Sequence, residues 1–374
     1  MSRLSSLDVL RGLDMFFITG GATLIAGVGA AFGFADGWLA RQMEHVPWTG
    51  LTHHDTIFPL FLFLAGASWP FSVASQRARG RTNWQIERRV LVRTALLFTL
   101  GISFGGIFSF SPCFRLMSVL GFIGLSWGAS TTLCLYAERI KTRVFVITVL
   151  AIGYFLLLHF GINPGATDGA DSYSKEWNIV RWLDLWLYQE HMMIPLSVAN
   201  AEGTVAYEPL SFFSLPGGML IALFGILSGS FLRSGRFTPV YKSIALALAG
   251  LALFALTLVL VIFVGVPIVK ALWTVSFVSA TIAYSLLLLA LCHWIVDVKG
   301  WAQWTVVFDP IGKNSILAYL MMMTGVTVCI RTWLFGGVLA SAGVWSMALE
   351  GLLMYLVTWI VCFYCMRKNI YLKV

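Results

Sequence analysis

Long apolar stretches separated by short polar segments dominate the hydropathy pattern along the chain. About 18 or more apolar residues in a helix are enough to cross a hydrocarbon core of roughly 30 Å. Because every backbone polar group must be satisfied inside lipid, such stretches predict helices. A transmembrane barrel would instead give short segments of alternating hydrophobicity, and the sequence does not show them.

The pattern predicts an all-α polytopic transmembrane bundle of about ten spans. The predicted spans are 8–33, 52–74, 90–110, 113–137, 143–160, 212–232, 242–264, 270–296, 311–334 and 345–366. The third and fourth are joined by a tight connection around Ser111–Pro112. We expect residues 1–374 to form a single transmembrane domain with one long loop at 161–211.

The composition agrees with a membrane protein and argues against a soluble one. Hydrophobic residues make up 59% of the 374 positions and charged residues only 11%, whereas soluble domains carry roughly 25% charged residues. The net charge of +8 could indicate nucleic-acid binding. However, the basic residues lie in short loops between spans, as is usual on the cytoplasmic side of membrane proteins.

The basic residues also predict an orientation. With the N-terminus inside, 18 of the 25 lysines and arginines fall on the inner side and six on the outer side. The remaining one, Arg11, lies within the first span. Positive loops face the cytoplasm, so both termini are predicted inside. The outer loops are acidic by contrast, which indicates either a vestibule that attracts a cationic substrate or simply the shortage of positive charge outside.

The richest group of reactive side chains joins the first two predicted spans and comprises His45, Trp48, His53, His54 and Asp55. A metal site is disfavoured, because adjacent histidines on a helix point apart and the usual ligand spacing is missing. A proton relay in a transporter would suit histidine and aspartate at a membrane edge. A general base in an enzyme would suit them equally well.

Polar groups also gather at the ends of three other spans. Asp8, Arg11 and Asp14 share one face of the first helix. Pro267–Phe277 opens the eighth span with Lys270 and Trp273. The ninth begins with Asp309, Lys313 and Asn314, and the free amides of such a helix start suit a phosphate-bearing cofactor.

Five runs of sequence, in this order along the chain, resemble the heparan-α-glucosaminide N-acetyltransferase family and its bacterial branch in particular. They are RLSSLDVLRGLD, HVPWTGLTHHDTIFPLFLFLAGASWPFS, PIVKALWTVSFV, WIVDVKG and GKNSILAYL. The resemblance implies transfer of acetyl from cytoplasmic acetyl-CoA to the amino group of a glucosamine-type sugar across the membrane. It also implies an integral protein of a bacterial inner membrane with the active histidine, matched by His45, facing the periplasm or exterior.

On this hypothesis His45 takes the proton of the acceptor amine, and Asp55 orients the His45 ring or balances its charge. The expected partners are acetyl-CoA, the amino-sugar acceptor, the lipid bilayer and, as a further possibility, a second copy of the chain, with neither metal nor nucleic acid. The residues assigned to the cofactor are Arg11, Asp8, Lys313, Asn314, Arg88 and Arg89. Those assigned to the acceptor are Trp48, His54, Glu208 and Trp273.

Three alternatives stay open at this point. Transfer can run through an acetyl-histidine intermediate instead of directly. A proton-coupled transporter of small sugars or amines would use the same histidines and carboxylates. An inactive relative could keep the fold as a membrane scaffold.

The charge asymmetry predicts a measurable topology. In a background without native cysteines, a cysteine at position 79 should react with a membrane-impermeant maleimide only from the inner side. A cysteine at position 168, in the long loop, is the matched outer control. Labelling of position 79 from outside would contradict the predicted orientation.

Overall fold

The computed structural model describes residues 4–109 and 113–372. The predicted connection around Ser111–Pro112 lies outside the described residues. Within the described ranges the chain is helical and has no strands; three isolated β-bridges join loops.

Sixteen α-helices are present in the described part of the chain. They are α1 (Ser5–Phe16), α2 (Ala22–Ala31), α3 (Trp38–Gln42), α4 (His53–Ala78), α5 (Asn83–Phe104), α6 (Val119–Tyr136), α7 (Ile140–Phe160), α8 (Ile179–Leu187), α9 (Leu196–Glu202), α10 (Leu215–Arg233), α11 (Pro239–Ile262), α12 (Val275–Cys292), α13 (Asp309–Lys313), α14 (Ser315–Met323), α15 (Val326–Ser341) and α16 (Ser346–Arg367).

Eight helical segments among the described residues are long and apolar enough to cross a membrane. α1 and α2 form one of them, because a π-helical turn at Phe17–Gly21 joins them. The pair α14 and α15 would make a ninth, bent by 72°. The prediction of a polytopic helical membrane protein is therefore confirmed.

Two of the predicted spans differ from the structure, one in its start and apolar length and the other in its continuity. The span predicted at 90–110 is α5, which starts earlier because Thr82 and Gln85 form a capping box. Four charged residues in its first half leave it short of the apolar length of the other spans. The span predicted at 311–334 is broken where Gly325 adopts a left-handed conformation with φ of 71°, which glycine reaches without a steric cost.

Helix α4 forms the centre of the bundle and packs most extensively against α10. Leu62, Phe63 and Leu64 are fully buried. The two helices approach closely because glycines lie at their contact: a Cβ on Gly66 would lie 2.3 Å from the Ala222 carbonyl oxygen. Small residues at such contacts let membrane helices gain packing energy that the hydrophobic effect does not supply in lipid.

Helices α7 and α11 lie at the periphery. Only 17% of the most apolar 18-residue window of each is buried inside the protein, and α11 exposes Leu248, Leu251 and Phe254. These side chains face outward from the bundle, where a bilayer would cover them. Apolar exposure here is the ordinary lipid-facing surface of a membrane protein.

The long loop at 161–211 folds into α8, α9 and connecting turns. Asp184 is buried and accepts a hydrogen bond from Ser211 Oγ at 2.5 Å. Burial raises the pKa of Asp184 to about 8, and the hydrogen bond only partly opposes that shift. Glu208 is also buried, so these two acids are inside the loop structure and do not line an open vestibule.

The contact between α4 and α10 yields a stability prediction. Gly66→Ala should lower the free energy of unfolding by about 1–3 kcal/mol, because the added methyl group overpacks a fixed backbone contact. Gly153→Ala in α7 is the matched control, since nothing lies within 4 Å of a Cβ placed there. Thermal unfolding of both variants in the same detergent checks the prediction, and equal melting temperatures would refute it.

Candidate functional site

Asp55 lies in the first turn of α4 and its side chain is fully buried. Its Oδ2 accepts from the backbone amide of Thr52 at 3.2 Å and lies 2.9 Å from Thr52 Oγ1. The Val46 amide lies 3.4 Å from the same oxygen. The carboxylate thus caps the helix start and at the same time fixes the loop that carries His45.

The other oxygen of Asp55 holds two side chains. Its Oδ1 lies 2.7 Å from His45 Nδ1 and 3.0 Å from Lys270 Nζ. Lys270 Nζ also lies 3.0 Å from His45 Nδ1. When the ammonium donates to the carboxylate, the ionised Asp55 accepts the His45 proton on Nδ1, and Nε2 is left as an acceptor. The His45 side chain is 56% exposed, which leaves Nε2 accessible to a substrate.

Lys270 comes from a distant part of the sequence and completes this group. Gly50 donates its amide to the Ile268 carbonyl at 2.8 Å, and Thr49 forms an antiparallel bridge with Val269. Burial lowers the pKa of the Lys270 ammonium from its ordinary value, and the Asp55 carboxylate opposes that shift. His45, Asp55 and Lys270 are called the outer triad below, after the side of the membrane that the charge pattern of the sequence predicts for them.

The two histidines that start α4 have different surroundings. The ring of His54 lies 4.5 Å from the ring of His45. His53 instead lies against Phe17, with ring centroids 4.2 Å apart, and its Nδ1 is 3.0 Å from the Tyr284 hydroxyl. Only His54 therefore belongs beside the outer triad.

A cavity of about 1460 Å³ opens among α1, α4, α5, α6 and α14. Along α4 and its C-cap, the lining runs from Phe58 to Arg79. At 1.5 Å per helical residue this stretch is about 30 Å long, which is the thickness of a hydrocarbon core. The cavity therefore extends along α4 over a length comparable to that thickness.

One end of the cavity is rich in cations and the other is apolar. The apolar end, near the outer triad, includes Ile18, Phe58 and Phe61. The cationic lining residues are Arg11, Arg79, Arg81, Arg88, Arg89, Arg93 and Lys313. Such a mouth suits a polyanion, because arginine binds phosphate oxygens in bidentate geometry.

Arg11 and Arg93 are the deepest of these cations in the bundle. Arg11 donates to Ser68 Oγ at 2.7 Å and to Asp8 Oδ1 at 3.2 Å. The guanidinium of Arg93 lies 4.5 Å from the centre of the Trp127 ring, and its Nε is buried without a hydrogen-bond partner. A buried donor without a partner is costly, so Arg93 is well suited to an incoming anion.

Several residues predicted to bind ligands have other contacts. Asn314 is buried and holds the end of the chain, donating to the Ile370 carbonyl at 3.3 Å. Glu208 accepts from Arg115 Nε at 2.9 Å and from the Met193 amide. Trp273 is fully buried and stacks on Phe122.

The remaining predicted residues lie where a ligand could reach them. Asp8 and Lys313 line the cavity, as do the exposed Arg88 and Arg89. Trp48 lies in the same loop as His45 and donates Nε1 to the Tyr173 carbonyl at 2.9 Å. Within the described residues, no group of three His, Cys, Asp or Glu side chains is arranged to hold a metal ion.

Two residues of the site were not assigned to it from the sequence. Lys270 lies 215 positions from its partner Asp55, so no local spacing connects them; only its presence in a matching motif marked it. Arg93 is one of four charged residues in the first half of α5, and their spacing in the sequence does not indicate which of them faces a cavity.

No family model matches the chain. The human protein named heparan-alpha-glucosaminide N-acetyltransferase is 27% identical over 371 residues, covering 85% of this chain and 52% of the human protein. The mouse protein of the same name is 27% identical over 372 residues, with 85% and 54% covered. The chain thus spans about half the length of these curated relatives. The resemblance that its motifs carry is confirmed: most of this chain is similar to the heparan-α-glucosaminide N-acetyltransferases.

Proposed function

We propose that this protein transfers an acetyl group from acetyl-CoA, bound in the membrane cavity, to the amino group of a glucosamine-type sugar at the opposite face. The cavity carries the proposal. It has a cationic mouth at one end, and its lining on α4 stops one helical turn below His54 and Asp55. An acyl donor with phosphates at one end and a thioester at the other matches a cavity with a cationic end and an apolar end.

The outer triad supplies the chemistry of transfer. His45 Nε2 takes a proton from the acceptor amine as its nitrogen forms a bond to the thioester carbonyl carbon. The carbon–sulfur bond breaks, and the same proton passes from Nε2 to the leaving sulfur. Asp55 holds the ring in the required tautomer and stabilises its charge when protonated.

Lys270 balances the buried carboxylate. A buried carboxylate beside a histidine is stabilised by a second cation, because isolated charge is costly to bury. The Lys270 ammonium lies 3.0 Å from Asp55 Oδ1, so the aspartate is compensated in the resting state as well as when His45 is charged. The role of Lys270 in the outer triad is to keep the Asp55 carboxylate ionised and to hold its position.

The same polarity supports the orientation proposed for the protein in its membrane. The cationic mouth lies at the end of α4 that the charge pattern places in the cytoplasm, where acetyl-CoA is available. His45 then faces the periplasm or exterior of a bacterial inner membrane. The acceptor approaches from that side, where Trp48 and Tyr207 lie with ring centroids 6.0 Å apart.

His45→Ala should reduce acetyl transfer by about 10²–10⁴-fold, the range expected when a positioned general base is removed. The assay follows acetylation of glucosamine by full-length protein in lipid nanodiscs supplied with acetyl-CoA. His53→Ala is the matched control, since that ring faces Tyr284 and Phe17. Equal turnover by the His45 variant and the control would remove His45 from the reaction.

Arg11→Ala should weaken CoA binding by roughly tenfold or more, because hydrogen bonds to charged groups contribute about 1.5–3 kcal/mol. The difference should shrink at high salt, which screens charge contacts. Isothermal titration of CoA measures both effects. Lys141→Ala removes an exposed cation at the same end of the bundle that does not line the cavity and should bind normally. Unchanged affinity of the Arg11 variant at low salt would exclude it from the site.

A further inference from the structure

We propose that His54 is a second catalytic histidine, whose ring N–H donates a hydrogen bond to the thioester carbonyl oxygen of the acyl donor. This inference rests on the proposed acetyl transfer and assigns to His54 a step that the outer triad does not perform. The role comes from the geometry of this chain.

His54 lies at the top of the cavity-lining face of α4. Residues three or four apart share a helix face, and the lining positions 58, 61, 65, 68, 72, 75 and 79 follow that spacing. Position 54 is one step further along the same face. A linear donor lying along this face, with its phosphates at the cationic mouth, has His54 directly ahead of its thioester end.

Each of the two histidines at the start of α4 has one buried ring nitrogen without a hydrogen-bond partner, and only the His54 ring lies beside the outer triad. Its Nδ1 is buried and has no hydrogen-bond partner. A buried polar atom without a partner costs about 1–3 kcal/mol, so a ligand that supplies the missing partner regains that free energy. The ring also lies 4.5 Å from the ring of His45, so a carbonyl bonded to His54 would lie close to His45.

The contacts of His45 and His54 give the two rings different roles in the proposed transfer. Asp55 occupies Nδ1 of His45, and more than half of that side chain is exposed to the acceptor side. His54 is partly buried and makes no hydrogen bond to the carboxylate. His45 is therefore placed to move the proton, whereas His54 is placed at the carbonyl.

The proposed transfer leaves the protonation state of His54 unchanged. As the amine nitrogen bonds to the carbonyl carbon, negative charge grows on the carbonyl oxygen and the His54 hydrogen bond strengthens. The carbon–sulfur bond then breaks and the oxygen returns to a carbonyl. His45 carries the proton from nitrogen to sulfur, so His54 ends each cycle with the proton it began with.

Kinetics of three variants test the assignment. His54→Ala should lower kcat by about 10²–10³-fold, as expected for loss of one oxyanion donor, and should raise the KM for acetyl-CoA by about tenfold, because the ground-state hydrogen bond to the carbonyl is lost as well. His54→Asn places an amide donor close to the position of Nδ1 and should recover at least tenfold of that loss. His53→Ala should stay within about threefold of the unsubstituted protein. If His54→Ala matches His53→Ala, His54 has no catalytic role.

A binding measurement separates this inference from the acetyltransferase proposal. Two unreactive analogues are titrated, one with a ketone in place of the thioester (acetonyl-CoA) and one with no carbonyl (S-propyl-CoA). The unsubstituted protein and His53→Ala should prefer the ketone by about tenfold, and His54→Ala should lose the preference. Binding of both analogues without preference would overturn the His54 assignment alone. Failure of both analogues to bind would overturn the proposed function together with it.

Discussion

The buried Asp55 carboxylate is the interaction on which the site depends. One group caps α4, holds the loop that carries His45, sets the tautomer of that histidine and pairs with Lys270. In a low-dielectric setting an unpaired carboxylate would be costly. The surrounding donors are therefore required to bury Asp55, whatever their part in the proposed transfer, and this requirement fixes the geometry of the outer triad.

The cavity follows from a second constraint, the close packing on the opposite face of α4. Glycines 66, 225 and 229 let α4 and α10 come together with backbone contacts. The cavity face of α4, by contrast, carries Phe61, Ser68 and Ser72, and α5 and α14 stand away from it. A central helix that is tightly packed on one side and open on the other provides both a rigid support and a path for a long ligand.

The sequence predicted the fold well because the insertion of a helix into a membrane is governed by the length and hydrophobicity of its own segment, and both can be read from neighbouring residues. It also placed His45 and Asp55 together, since ten residues of loop and helix start connect them. It did not assign Lys270 or Arg93 to the site, because pairing across 215 residues or across a cavity depends on tertiary packing. The same limit explains Glu208 and Asn314, whose polar side chains had the chemistry of ligand-binding residues but hold the protein's own loops.

The long separation between Asp55 and Lys270 has a consequence for biogenesis. Span two enters the membrane during synthesis, and 215 further residues must be made before its ammonium partner exists. At 5–20 residues per second this takes roughly 10–40 s. For that interval the partners of Asp55 that have been synthesised are His45, the Thr52 hydroxyl and backbone amides. Completion of the ion pair thus marks the moment at which the first and second halves of the protein have docked.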